Sequence, residues 1–227
     1  MTNEPILLEK SMAAKGKSLL YRILASLYLR EATAETLQIL SSKEVVETLD
    51  GLGVDTGKLS GPADNNERQK RFLDELAEEY TALFILPGGV SPYESVRLKG
   101  LLCQDPEWKV REFYKRFGVV MREGSSIFSD HIGMELDFLS YLVDKEAAAW
   151  GAKDEEVAHG WQEARQEFFS EHMNKWVNGF TDELDKCAFH PFYREVSALT
   201  RKLMEIESTE LSTERPEDGP SAETSPV

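Results

Sequence analysis

Apolar side chains recur along this chain at helical spacing. Leu20, Ile23, Leu24, Leu27 and Tyr28 fall at i, i+3, i+4, i+7 and i+8, which puts them on one face of a helix. Phe72, Leu73, Leu76, Tyr80, Leu83 and Phe84 repeat the pattern behind a start rich in acidic, Lys and Arg residues. Another helix opens at Asp105-Pro106-Glu107, where Asp can cap and Pro suits the first helical position, and it stops at Gly118. The pattern predicts further helices over about 130–150, 154–170, 172–187 and 192–207. His190-Pro191 divides the last two, because proline disfavours helical geometry in the residue before it. No stretch alternates apolar and polar residues with β-branched enrichment. The predicted class is all-α, a single-domain helical bundle over residues 1–207.

Three segments break the periodicity. Residues 53–64, "GVDTGKLSGPAD", read as a polar, Gly-rich connection. Residues 86–94, "LPGGVSPYE", form a Pro/Gly loop too stiff and too apolar for a plain linker. Residues 208–227 are rich in Ser, Thr, Pro and Glu with few apolar side chains, and are expected to be a disordered acidic tail.

The net charge of −15 argues against nucleic-acid binding, which needs a basic footprint, and favours cationic or neutral partners. Cys103 and Cys187 lie far apart with no CxxC spacing, which predicts two buried thiols in a reducing compartment. The N-terminus "MTNEPILLEK" lacks a basic segment followed by an apolar one, and no run approaches a membrane span. A cytoplasmic protein without stable membrane insertion is expected.

Two stretches carry candidate chemistry. "SMAAKGKS" (11–18) ends like a phosphate-binding loop, but Ser11 stands where the first glycine belongs and no strand precedes it, so a solvated helix start is the better reading. "SDHIGMELDFL" (129–139) sets Asp130 and His131 at a helix start with Glu135 one turn on. His131 and Glu135 share a face and could ligate one ion, which makes a metal-dependent hydrolase built on Asp130, His131 and Glu135 the alternative reading. A third ligand is missing: His159 and His172 sit in Glu-rich, surface-like segments, and His190 is better explained by its turn. No activated nucleophile is evident for an Asp-His general base. The simpler account has Asp130 capping the helix that follows it. No cofactor or bound metal is expected. The apolar loop fares better: its prolines and glycines hold Tyr93 near Phe84 with little freedom to lose on binding, and Glu94 stands beside it to receive a cation.

"EEYTALFILPGGVSPYESVRL" (78–98), "FSDHIGMELDFLSYL" (128–142) and "FFSEHMNKWVNGFTDELDKCAFHPFYREVSALTRKLM" (168–204) occur in that order, and together they resemble the TorD/DmsD-type redox enzyme maturation chaperones over about residues 15–206. The resemblance implies an all-helical, non-enzymatic cytoplasmic chaperone. Such a chaperone binds the twin-arginine leader and apo catalytic subunit of a molybdenum oxidoreductase, delays export and assists cofactor insertion. It implies a monomer or a domain-swapped dimer, with 53–64 as a hinge. The implied leader-binding residues are Tyr80, Leu83, Phe84, Pro92, Tyr93, Glu94, Ser95, Asp130, His131 and Glu135. Acidic groups beside an apolar groove would complement two guanidiniums and an apolar stretch, and His131 would tune release near neutral pH. Tyr93 stands where the family often has Trp, and "SSIFSDH" replaces a common Glu-Pro segment. The "IFSDHIG" form resembles the branch serving selenate reductase, (per)chlorate reductase, dimethylsulfide dehydrogenase or ethylbenzene dehydrogenase.

Overall fold

A computed structural model describes residues 4–62, 66–122 and 124–214. Among these the chain is all-α; the only ladder-like pairing is an isolated antiparallel bridge between Tyr93 and His131. The bundle is organised around α1 (Glu4–Leu29) and α8 (Ile132–Gly151), which run antiparallel. At one end Ser11 Oγ donates to the Ala147 carbonyl at 2.8 Å; at the other, Gly133 faces the Ala25 backbone and the Leu29 side chain. A Cβ at Gly133 would collide with Leu29, so glycine permits this close approach. Leu24 and Tyr28 of α1 are fully buried, as the periodicity predicted, and so are Tyr21 beside them and Leu136, Leu139 and Leu142 of α8. Each such side chain contributes roughly 1.5–3 kcal/mol.

Between them lie α2 (Ala34–Leu40), α3 (Lys43–Gly51), α4 (Thr56–Ser60), α5 (Asn66–Tyr80), α6 (Glu94–Lys99) and α7 (Asp105–Arg116). α9 (Glu155–Glu171) packs on α8, while α10 (Val177–Cys187) pairs with α11 (Pro191–Glu214).

Several boundaries differ from expectation. Of the expected connection 53–64, residues 63–64 lie outside the described residues, and the rest contains α4, whose Leu59 is buried and whose Lys58 pairs with Glu195 of α11 at 2.7 Å. A short apolar anchor thus turns the expected connection into packed structure. The last helix continues to Glu214 because Glu207 and Glu210 pair with basic groups of other helices; the rest of the expected tail lies outside the described residues. Asp105 is the first residue of α7 rather than its cap. Cys103 is exposed and Cys187 partly buried, and both are free thiols.

Candidate functional site

α5 does not stop at Tyr80. It continues as a π-helical turn, Thr81–Ile85, a wide-turn element that often marks functional segments. The chain then folds back on itself: the Val90 N–H donates to the Leu83 carbonyl at 2.6 Å. Gly89 lies so close to the Ala82 and Leu83 carbonyls that no side chain fits there. Phe84 makes edge contacts with Tyr28, Tyr80 and Tyr193 and stacks on Phe180, so the turn is nailed into the core. Leu83, Phe84, Pro92, Tyr93, Val96 and Leu102 line a groove of about 270 Å³ over this loop. Ile85, Leu86, Leu101 and Leu102 are exposed around it.

The segments 92–95 and 130–132 are stitched together by backbone. The Glu94 N–H donates to the Asp130 carbonyl at 2.9 Å, and the Ile132 N–H to the Pro92 carbonyl at 2.8 Å. Asp130 Oδ2 accepts the Ser95 N–H at 2.8 Å, which caps α6 rather than the helix that follows Asp130. His131 caps α8 instead: its Nδ1 accepts the Gly133 N–H at 3.0 Å, and its ring lies edge-on to Tyr93. The α8 cap expected of Asp130 is thus made by His131, and Asp130 is drawn to α6 instead.

The loop is therefore brought against the Asp-His pair as expected, but the carboxylates do not line an open cleft. Asp130 and Glu135 are 0% exposed and Glu94 2% exposed. Glu94 Oε2 hydrogen-bonds with His172 Nδ1 at 2.9 Å, and Glu135 Oε2 accepts from Trp176 Nε1 at 3.3 Å. Ser95 Oγ, Asp130 Oδ1, Glu135 Oε1 and His172 Nε2 have no partner. This is a buried acidic cluster without an arginine or lysine. Burial, with Glu94 and Asp130 nearby, holds the Glu135 carboxyl well above its ordinary range. Burial likewise raises Asp130, against the hydrogen bond from the Ser95 N–H. His131 is pushed down to about 4 by burial, so it stays neutral between pH 6 and 8 and cannot act as the expected switch there.

His172 is the residue most misjudged by pattern, since it is buried against Glu94 rather than on a surface helix face. Its one signal was Phe168 and Phe169 just before it. His190 does serve its turn: its Nδ1 accepts the Phe192 N–H at 3.1 Å. The hydrolase reading gains no support, because no three His, Cys, Asp or Glu side chains among the described residues are disposed to hold a metal ion.

The nitrate reductase delta subunit family model matches residues 43–182. The chaperone protein TorD of Vibrio atlanticus is 27% identical, covering 86% of this chain and 94% of its own length. The chaperone protein YcdY of Escherichia coli is 29% identical over 81% of this chain and 89% of its own. A selenate reductase assembly chaperone protein of Thauera selenatis is 28% identical over 64% of this chain and 75% of its own. With the family model spanning more than half of its length, and chaperones of that kind aligning along most of it, this chain belongs to the nitrate reductase delta subunit family of TorD-type redox enzyme maturation proteins.

Proposed function

We propose that this protein is a cytoplasmic chaperone dedicated to one molybdenum oxidoreductase, and that it acts by binding the leader and apo form of the catalytic subunit without catalysing a reaction. The observation that carries this reading is the groove at the Leu83–Leu102 loop, built on a rigid turn and lined mainly by apolar side chains, with Leu86 and Leu102 exposed at it. A prefolded apolar groove costs little ordering on binding and suits the apolar part of a leader. Tyr93 and Phe84 form its aromatic wall. Pro92 also lines it, Tyr80 is buried against Phe84, and Glu94, Ser95, Asp130, His131 and Glu135 act through the loop they fasten. The similarity to a selenate reductase assembly chaperone favours a client of related chemistry. No helix among the described residues is long and apolar enough to cross a membrane, which accords with a chaperone that meets its client before export.

The test is isolation of the tagged protein from its native cells, with mass spectrometry of what accompanies it. A molybdenum oxidoreductase catalytic subunit still carrying its leader is the expected companion. Recovery of only leader-free, cofactor-loaded enzyme, or of no oxidoreductase subunit at all, would refute the reading.

A further inference from the structure

With the carboxylates of the Asp-His region sealed inside, the leader's arginines need another acceptor. The surface of α5 offers one. Glu75 and Glu78 of α5, Ala82 and Ile85 of the π-turn that continues it, and Leu86 just beyond follow one another along the chain, and all five are exposed. Ile85 and Leu86, at 64% and 55% exposure, stand where this stripe meets the loop groove. The stripe is acidic at one end and apolar at the other.

Beside the acidic end runs a second groove, of about 460 Å³, lined by Glu75, Glu78, Glu79, Ala82 and the segment Phe189–Pro191. Phe189 is 89% exposed, and its backbone is held in place: its N–H donates to Glu79 Oε1 at 2.6 Å, and the His190 N–H donates to Glu79 Oε2 at 2.8 Å. Glu79 is therefore occupied, whereas Glu75 and Glu78 have no hydrogen bond or ion pair among the described residues. No Lys or Arg lines the groove, and Arg194 alongside is turned to the Ala188 carbonyl at 3.0 Å. An exposed aromatic ring lining the same groove as two unpaired carboxylates suits a guanidinium, which stacks and forks its hydrogen bonds where an ammonium cannot.

We infer that this stripe is the track on which an arginine-bearing, apolar peptide docks, its guanidiniums at Glu75, Glu78 and Phe189 and its apolar part at Ile85, Leu86 and the loop groove. The inference rests on the leader-binding reading and gives the leader a place and a direction. From Glu75 to Ile85 the helix rises about 15 Å, which an extended peptide covers in roughly five residues. An arginine pair a few residues ahead of an apolar stretch spans the track.

The experiment uses the full chain and two synthetic peptides, Arg-Arg or Lys-Lys placed four residues ahead of a Leu/Ala-rich stretch, with affinity read by fluorescence anisotropy. The native protein binds the Arg-Arg peptide more tightly. Replacing both carboxylates (Glu75→Gln with Glu78→Gln) weakens it by about tenfold, the size expected for two partly screened charge-assisted contacts. Phe189→Ser erases the preference for Arg-Arg over Lys-Lys. Leu102→Ser weakens both peptides and keeps the preference. All the altered side chains are exposed, so unchanged circular dichroism and melting are expected throughout. Should the native protein bind Arg-Arg while the Gln and Ser variants match it, the track is wrong and the leader reading stands. Should the native protein ignore both peptides, the leader reading fails and the track with it. A dimer that falls apart in Phe189→Ser while peptide affinity holds would assign the surface to a second copy of the chain, which also overturns the inference.

Discussion

Two buried polar clusters in this bundle solve the same problem differently. On one side Arg165, 1% exposed, reaches Glu146, Glu207 and Glu210, drawing together α8, α9 and α11. Tyr21 from α1 donates to Glu207 at 2.6 Å, and Lys17 pairs with Glu210 at 2.6 Å. Burial opposes the Arg165 charge, but Glu207 and Glu146 outweigh it and hold the guanidinium firmly protonated. On the other side Glu94, Ser95, Asp130, Glu135 and His172 lie behind the loop with no buried arginine or lysine and four unpartnered atoms. The first cluster matches charge with charge and locks helices together. The second leaves buried polar atoms unmet behind the loop that walls the proposed leader groove.

Changing single groups breaks or sharpens this contrast. The largest effect is expected at Arg165. Arg165→Met strands Glu146 and Glu207 without their cation and should cost about 3–5 kcal/mol, read as a large fall in the urea midpoint. A loss below about 1 kcal/mol would show the network to be dispensable.

Next comes His131. Its folded pKa of about 4 lies below the ordinary 6.5, so below pH 6.5 the unfolded chain binds the proton more readily. The stability that His131 contributes by staying neutral is present above pH 6.5 and is lost as pH falls toward 4, by on the order of 3 kcal/mol. The difference in unfolding free energy between native protein and His131→Gln should change by that amount over this interval; parallel curves would contradict it.

Asp130→Ala removes the cap on α6 and should cost about 1–2 kcal/mol, with faster hydrogen exchange at the Ser95 amide. Full protection of that amide in the variant would mean that something else orders the loop.

The smallest change should have the opposite sign. The Glu135 carboxyl has a raised pKa, so its favourable contribution holds below the ordinary carboxylate range and is lost as pH rises toward its folded value. Glu135→Gln keeps an acceptor for Trp176 and removes that loss. It should raise stability at pH 8, where a buried carboxylate is penalised, and leave it nearly unchanged at pH 4. A strongly destabilised variant at pH 8 would place Glu135 with the matched network instead.

How far the chain could be read from its letters differs from residue to residue. α1, α8 and α11 were legible because their buried faces repeat at 3.6 residues, and the α10–α11 break because proline constrains its neighbour. The apolar loop and the Asp-His pair were legible as neighbours in the site through the family resemblance. Arg165 was not: "EARQEF" reads as a solvated face, and the acids that bury it lie 19, 42 and 45 residues away. His172 was missed for the same reason, its partner Glu94 being 78 residues back.

Local pattern alone therefore determined the longer helices and the stiff loop, since those depend on spacing and backbone chemistry within a few turns; the short α2, α3, α4 and α6 escaped it. Only the tertiary structure decided which polar groups are buried, which helix each residue caps, and that the carboxylates near the groove face inward. Burial and electrostatics depend on what the rest of the chain brings within a few ångströms, and no local pattern records that.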